Sequence, residues 1–262
     1  MHIFDNDLEL KEIKKNYLRA EVADNWSHRG NLNGGFLLSL AAKAASCFSE
    51  KTGSMLITAN YLDRTQPGII DVQIEELSKS GNFDRFEVSL IQNDKKVLRT
   101  FCTLSKKTGN TEDLASNQDY HPSALEKDCI EMSRPGVTTM YDSLNVRIDP
   151  ATASWMQGEL KKPSNVRGWC RFREPRDFDL FAANMAVDCF PPAIFSSLGA
   201  SAWVPTLEMS VYITHNPKVD VLWSDFRTNY ITDGILQEDG IVTDSDGNIV
   251  AISRQTAVYR SK

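Results

Sequence analysis

The chain has 262 residues, of which 41% are hydrophobic and 24% are charged. These fractions disfavour disordered, collagen-like and coiled-coil proteins, and the length suffices for one large domain or two domains of about 100–150 residues. The net charge of −6 argues against nucleic acid as the main partner, because nucleic-acid-binding proteins usually carry a basic excess.

The amino-terminal segment, residues 1–16, has no apolar stretch of the kind found in signal peptides. No window approaches the ~18 consecutive apolar residues of a membrane span. We therefore expect a cytoplasmic protein without a membrane partner. The cysteines are scattered and form no CxxC pair, which predicts reduced thiols, and the scattered histidines suggest no metal site.

The first predicted helix follows two adjacent glycines, Gly34 and Gly35. Apolar residues recur at intervals of three and four from Phe36 to Phe48, which predicts an amphipathic helix with a broad apolar face. The glycines would leave the unpaired amides of the helix N-terminus open to an anion or a developing oxyanion. The alternative is a tight loop in which the glycines adopt positive φ.

The second half of the chain repeats the organisation of the first. In each half a tryptophan, Trp26 or Trp169, precedes a helical pattern with two adjacent alanines, and strand patterns follow. The segment 178–190 is the second predicted helix, at least three turns long, with Asp177 or Asp179 as its N-cap. A helix followed by antiparallel strands in both halves predicts an α+β fold with the helix packed on one face of the sheet.

A polar segment with weak periodicity, residues 106–129, separates the two halves. Its composition is typical of a linker. We therefore predict a boundary near residue 125, with an N-terminal half and linker at residues 1–124 and a C-terminal half at residues 125–262.

Asp188 is the candidate catalytic acid that stands out from the sequence. It lies on the second predicted helix, and its immediate neighbours are uncharged. If a sheet wraps this helix, burial would raise the pKa of the carboxyl group and suit it to general-base catalysis. The alternative is an exposed aspartate on the outer face of the helix.

Several motifs resemble the acyl-CoA thioesterase II-like family of double hot-dog proteins. They are NGGFLLSLAAKAA, YLDRTQPG, GWCRFREPRDFDL and DSDGNIVAISRQTAVYR. The resemblance spans most of the chain and implies a tandem hot-dog fold, in which each half is a long helix wrapped by an antiparallel sheet. It also implies an acyl-CoA thioesterase that needs no metal or nucleotide cofactor.

The resemblance also implies site residues. In the family a water molecule is held by an aspartate on the second helix, a serine or threonine at the start of the next strand, and a glutamine on the last strand; these match Asp188, Thr206 and Gln255. Asp188 would be the general base, Thr206 and Gln255 would orient the water, and the amides of Gly34 and Gly35 would stabilise the oxyanion. From the residues alone, Thr206 and Gln255 are equally well ordinary strand residues.

The strand that begins at Thr206 has an alternating pattern. Strict alternation groups Thr206 with Glu208 and places Met209 and Val211 on the opposite face. If the apolar face meets the helix, Thr206 must reach the site from the end of the strand.

Other functions remain open at this stage. His28 could be the acid–base residue of a hot-dog hydratase or dehydratase, or a surface histidine. A protein that binds acyl-CoA without turnover is a further possibility, and we expect the chain to form a homodimer. A basic cluster could bind the phosphates of coenzyme A or form a solvated face. Its members are Lys161, Lys162, Arg167, Arg171, Arg173 and Arg176.

Overall fold

A computed structural model of the protein describes residues 1–106 and 120–260. Most of the predicted linker, residues 107–119, lies outside the described residues. The α-helices are α1 (Ile3–Asp7), α2 (Gly34–Ser46), α3 (Met140–Ser143), α4 (Ala183–Ala186) and α5 (Phe195–Leu198), and short 3₁₀ helices cover Glu126–Asp128, Pro150–Thr152 and Ser154–Gln157.

The strands follow the alternating patterns of the sequence. They are β1 (Lys11–Lys14), β2 (Tyr17–Val22), β3 (Ser27–His28), β4 (Asn31–Leu32), β5 (Met55–Tyr61), β6 (Gly68–Lys79), β7 (Phe83–Gln92), β8 (Lys95–Ser105), β9 (Ile130–Glu131), β10 (Leu144–Ile148), β11 (Ser164–Phe172), β12 (Thr206–Ile213), β13 (Leu222–Thr232), β14 (Ile235–Thr243) and β15 (Ile249–Val258). The short strands β3 and β4 pair with each other.

The other strands form a single antiparallel sheet, in the order β1-β2-β6-β7-β8-β5-β12-β15-β14-β13-β11-β10-β9. Strands from the first half of the chain occupy one side of this sheet, and strands from the second half occupy the other. The two sides join where β5 pairs with β12, with Ile57 opposite Val211. This arrangement confirms the predicted α+β tandem hot-dog fold.

Helix α2 confirms the first predicted helix. It begins after Asn33, whose Oδ1 accepts a hydrogen bond of 3.1 Å from the Phe36 amide and so caps the helix. The helix is buried on nearly all sides because strands β5 to β8 wrap around it and α4 packs against it. The ring of Phe36, in α2, stacks on the ring of Trp26, with centroids 5.8 Å apart.

The second helix is much shorter than predicted. The pattern over 178–190 predicts at least three turns, but α4 covers only Ala183–Ala186. The Phe181 carbonyl is engaged by the hydroxyl of Ser39 and by both the amide and the side chain of Asn184, at 3.0–3.2 Å. An i+4 helical bond is therefore not formed at this carbonyl, and the segment continues as turns.

The N-cap of α4 is Ala182, so neither predicted N-cap begins this helix, although Asp179 caps the turn before it. Asp179 Oδ1 accepts hydrogen bonds from the amides of Phe181 (3.0 Å) and Ala182 (2.8 Å). Because of the short α4, this cap opens a turn instead of a long helix.

All five cysteines are free; Cys47 is exposed, and the others, Cys102, Cys129, Cys170 and Cys189, are buried. Among the described residues, no helix is long and apolar enough to cross a membrane. The same residues contain no group of three or more His, Cys, Asp or Glu side chains that could hold a metal ion.

Candidate active site

A cavity of about 440 Å³ lies where the two halves of the molecule meet. The first half contributes the start of α2, with Gly34, and the end of β5, with Tyr61. The second half contributes Asp188, which follows α4, and Thr206, which opens β12. Neither half encloses the cavity alone.

The carboxylate of Asp188 is held at the N-terminus of α2. Its Oδ2 accepts hydrogen bonds from Asn33 Nδ2 (2.9 Å) and from the Gly35 amide (3.1 Å). Asn33 Nδ2 also donates to the backbone carbonyl of Asp188 at 2.8 Å. The positive end of the helix dipole and these donors favour the ionised carboxylate.

Burial has the larger effect on the Asp188 carboxyl group. It raises the pKa to about 6, although the amides of Gly35 and Gly34 and the side chain of Asn33 act in the opposite direction. The group is thus mostly ionised at pH 7, yet basic enough to take a proton from a polarised water.

The two glycines are explained by close approach of neighbouring groups. A Cβ on Gly34 would lie 2.8 Å from Asp188 Oδ2 and 3.0 Å from the Tyr61 ring, and a Cβ on Gly35 would collide with the backbone carbonyl of Asn184. Neither glycine has a positive φ, so the tight-loop alternative is wrong.

The predicted oxyanion role of these glycines is not what the hydrogen bonds show. The Gly35 amide already donates to Asp188, and the Gly34 amide also faces that carboxylate. A substrate oxygen would have to displace the carboxylate to reach these donors. The amides instead hold the candidate base in place.

The sequence reasoning missed two residues around Asp188. Tyr61 donates its hydroxyl to the Gly34 carbonyl at 3.1 Å, and burial, with the charge of Asp188, raises the pKa of the phenol. Asn33 both caps α2 and binds Asp188. The position of Asn33 directly before the helix was the signal that could have identified it, because asparagine is a favoured N-cap.

A β-bulge determines the orientation of Thr206. In the pairing of β12 with β15, Met209 lies opposite Gln255 and Thr206 lies opposite Ala257, so β12 has one extra residue between these two pairs. An extra residue reverses the facing of the side chains beyond it. Thr206 therefore shares the inward face with Met209, and strict alternation was wrong at this residue.

Thr206 and Gln255 are joined directly. The Thr206 hydroxyl donates to Gln255 Oε1 at 2.8 Å. Thr206 lines the cavity together with Asp188, whereas Gln255 lies behind Thr206 and is not among the described lining residues. No hydrogen bond between described residues joins Asp188 to either of the other two. The structure therefore brings Asp188 and Thr206 to one cavity, with Gln255 behind Thr206, without making the three a continuous network.

Glu238 is a buried acid that the sequence reasoning missed. Its Oε1 accepts from Gln255 Nε2 (2.7 Å), and its Oε2 accepts from the Ala193 amide (2.6 Å) and the Thr228 hydroxyl (3.3 Å). Burial raises its pKa to about 7 against the effect of these donors. The signal was its alternation with Leu236 on the buried face of β14.

His28 lines the same cavity but is not arranged as a charged acid. Its Nδ1 lies 2.7 Å from the Thr138 hydroxyl, and its ring stacks on Trp203 with centroids 5.8 Å apart. Burial, followed by the charges of Arg29 and Arg134, lowers its pKa to about 4. His28 is therefore a half-buried neutral side chain at pH 7.

The basic cluster at 161–176 does not line this cavity. Its arginines are instead paired with carboxylates: Arg167 with Asp149, Arg171 with Glu126 and Asp220, Arg173 with Glu131, and Arg176 with Asp5 and Asp179. Lys161 lies 3.8 Å from Glu159. Because the four arginines of the cluster are already paired with carboxylates, the cluster is a poor site for the phosphates of coenzyme A.

Comparison with protein families covers most of the chain. The family model for the acyl-CoA thioesterase N-terminal domain matches residues 22–105, and that for the acyl-CoA thioesterase C-terminal domain matches residues 113–259. No curated protein matches the sequence.

Solved structures share the fold at low sequence identity. A candidate thioesterase II from Thermobifida fusca superposes with a TM-score of 0.90 at 17% identity, covering 98% of this chain and 99% of that chain. A hot-dog protein of unknown function from Alicyclobacillus acidocaldarius gives 0.86 at 17%, covering 100% and 99%. The acyl-CoA thioesterase II TesB2 from Mycobacterium marinum gives 0.71 at 17%, covering 99% and 97%.

Proposed function

The chain belongs to the acyl-CoA thioesterase family, and on this premise we propose that it hydrolyses acyl-CoA to a free fatty acid and coenzyme A. The observation that carries the proposal is the position of Asp188. Its carboxylate, with a pKa of about 6, is held at the N-terminus of α2 and lines the same cavity as the Thr206 hydroxyl. A base and a water-orienting group therefore act on one enclosed space.

In the proposed reaction, Asp188 accepts a proton from a water molecule as the water oxygen attacks the thioester carbon. The resulting tetrahedral intermediate collapses and breaks the carbon–sulfur bond. The sulfur of coenzyme A leaves as a thiolate, which takes the proton from Asp188. The reaction needs no covalent intermediate on the protein, and the base returns to its starting state.

Thr206 orients the water in this proposal. Its single hydroxyl proton is donated to Gln255, so its lone pairs are available to accept a hydrogen bond from the water. Gln255 acts through Thr206. Holding the water at a defined position converts its bimolecular reaction with the thioester into an effectively unimolecular step.

The amides of Gly34 and Gly35 hold the base, in place of the oxyanion role expected from the sequence. We also propose that the chain divides near residue 125 into two hot-dog halves. The first half then supplies the helix terminus, and the second supplies Asp188, Thr206 and Gln255. Both halves are required for the site.

The test is release of free thiol from a panel of acyl-CoAs, from short to long chains and including an aromatic acyl group. We expect turnover of some members by the wild type and a loss of about 10²-fold or more in Asp188→Asn. Asp177→Asn, an exposed residue of the preceding loop, is the matched control and should retain full activity.

The same panel separates the alternatives. Binding of acyl-CoA without thiol release would show an acyl-CoA-binding protein. Hydration of enoyl-CoA that is lost in His28→Ala but kept in Asp188→Asn would show a hydratase. Either result would overturn the thioesterase proposal.

A further inference from the structure

The arginines of the protein fall into two groups. Nine of the fourteen form ion pairs with described carboxylates. Among the described residues, five lack such a partner, and four of these five line the cavity that contains Asp188. They are Arg29, Arg64, Arg134 and Arg260. The free positive charge of the arginines is therefore concentrated at this cavity.

These four arginines surround the stacked pair of His28 and Trp203. The guanidinium group of Arg64 lies over the Trp203 ring, 5.8 Å from its centroid. Arg260 and Trp203 exchange backbone hydrogen bonds of 3.0 and 3.3 Å. The charges of Arg29 and Arg134 both act on the His28 ring. The four side chains thus belong to one neighbourhood.

This neighbourhood is the solvent end of the cavity. Arg29, Arg64 and Arg260 are exposed. Asp188 is half-buried and lies against the start of α2. The carboxylates among the described lining residues are Asp63 and Asp188, so positive charge dominates the entrance. Guanidinium groups without a protein partner are well suited to bind phosphate oxygens, because their planar donors form charge-assisted hydrogen bonds.

We propose that this group of arginines, the arginine rim, binds the phosphates of coenzyme A while the thioester reaches Asp188. The proposal rests on the proposed thioesterase function. It replaces the 161–176 cluster as the phosphate site, and it implies selection for thioesters that carry the phosphorylated nucleotide of coenzyme A.

The experiment compares two substrates with the same acyl group. One is the acyl-CoA that the wild type hydrolyses best, and the other is the acyl N-acetylcysteamine thioester, which has no phosphate. Arg64→Gln and Arg134→Gln should each raise KM for acyl-CoA about 5- to 10-fold and leave hydrolysis of the short thioester unchanged. Arg85→Gln is the control, since Arg85 is the unpaired arginine that does not line the cavity.

Failure of this proposal differs from failure of the proposed function. The arginine rim is wrong if Arg64→Gln and Arg134→Gln raise KM for acyl-CoA no more than Arg85→Gln does. It is also wrong if the two variants reduce hydrolysis of both substrates equally. The thioesterase function is wrong if neither substrate is hydrolysed by the wild type. In that case calorimetric binding of adenosine 3′,5′-bisphosphate still tests the rim, and equal affinity for the wild type and Arg64→Gln would overturn it.

A second inference concerns Glu238 and comes from the sheet. Thr228, Glu238 and Gln255 lie directly opposite one another on β13, β14 and β15. Their side chains form a continuous polar row across these strands, because Thr228 and Gln255 both donate to Glu238. Among the described residues, no cation forms an ion pair with Glu238, and its carboxylate oxygens are held by hydrogen-bond donors alone.

In its ionised form the Glu238 carboxylate accepts hydrogen bonds and cannot donate them, so every group that faces it in that form must be a donor. Gln255 therefore turns its NH₂ group toward Glu238, which leaves its Oε1 facing Thr206. Thr206 must then donate its proton to Gln255 and present lone pairs to the cavity. We infer that Glu238 is a positioning residue that sets Thr206 as the acceptor for the attacking water.

Glu238→Gln tests this inference, because the new amide can turn its own NH₂ toward Gln255 and reverse the direction of the row. We expect kcat to fall about 10-fold, with KM changed less than about twofold. The same substitution in a Thr206→Val background should have no further effect on kcat, since the hydroxyl is already gone. Glu208→Gln, on the exposed face of β12, is the control.

A structural role for Glu238 would give another pattern. It would lower the unfolding temperature and reduce kcat by the same factor in both backgrounds. An unchanged kcat in the wild-type background would also overturn the inference.

Discussion

The carboxylate of Asp188 lies 3.1 Å from the backbone amide of Gly35, although 153 residues separate them in the chain. This contact brings the candidate base of the second half onto the helix N-terminus of the first half. It explains why α2 begins with glycines, since a side chain at Gly34 would occupy the place of the carboxylate. The cavity is complete only when the two halves are joined.

Thr206→Val is expected to lower kcat about 10- to 100-fold. Valine keeps the shape of the side chain but removes the hydroxyl, and Gln255 Oε1 then loses its donor. Thr206→Ser, which retains the hydroxyl, should stay within a few-fold of the wild type. Steady-state thiol release measures kcat for both variants. Equal kcat for Thr206→Val and Thr206→Ser would argue against a role for the hydroxyl.

The activity should depend on pH through Asp188. The ionised carboxylate is the active form, and its pKa is raised to about 6. We therefore expect kcat/KM to rise about tenfold per pH unit below pH 6 and to level off above about pH 8, once Glu238 is also ionised. A profile already flat at pH 5 would indicate that the base is an ordinary exposed carboxylate.

Asn33→Ser should move this pH profile without removing the helix cap. Serine can still accept a hydrogen bond from the Phe36 amide, but it lacks the amide donors that Asn33 directs at Asp188. Loss of a donor to a carboxylate raises its pKa, so the midpoint should move to higher pH. The unfolding temperature should change little, and an unmoved midpoint would contradict the assigned contact.

The two helix-start glycines should respond differently to alanine. Gly34→Ala places a methyl group 2.8 Å from Asp188 Oδ2, so we expect at least a tenfold loss of kcat. Gly35→Ala clashes with backbone at Asn184 and should mainly lower stability, by about 1–3 kcal/mol.

Gly81→Ala is the control for this pair, because nothing lies within 4 Å of a Cβ at that position. Urea unfolding and thiol release together separate the two effects. The assignment fails if Gly34→Ala and Gly81→Ala have the same kcat.

Stability should fall as pH rises from about 4.5 to 8. Burial raises the pKa of Glu238 in the folded protein from 4.5 to about 7, so the folded state binds its proton more tightly than the unfolded state does. The stabilisation is complete below pH 4.5 and is lost as pH rises through about 7; it amounts to about 3 kcal/mol. Asp188 acts in the same direction.

Urea unfolding at pH 5 and pH 8 measures this dependence. Glu238→Gln should show a smaller fall than the wild type by about that amount. An identical fall in the two proteins would mean that Glu238 ionises normally in the folded state.

The sequence alone determined the features that depend on local patterns. The three- and four-residue spacing after Gly35 predicted α2, and the alternating segments predicted the strands, because each reflects one buried face of a regular element. The motifs identified the family, and the resemblance implied Asp188, Thr206 and Gln255 as candidate site residues. The repeated order of elements indicated two similar halves.

Only the tertiary structure decided how these residues meet. The bulge in β12 turned Thr206 inward, and a bulge depends on pairing between strands that are distant in the chain. The second helix is shorter than predicted where the Phe181 carbonyl accepts a hydrogen bond from Ser39 of α2. Local helix propensity does not include such a contact between distant segments. The placement of Glu238 beneath Gln255 and of unpaired arginines around Trp203 likewise follows from packing, since side chains far apart in sequence acquire partners only when the fold brings them together.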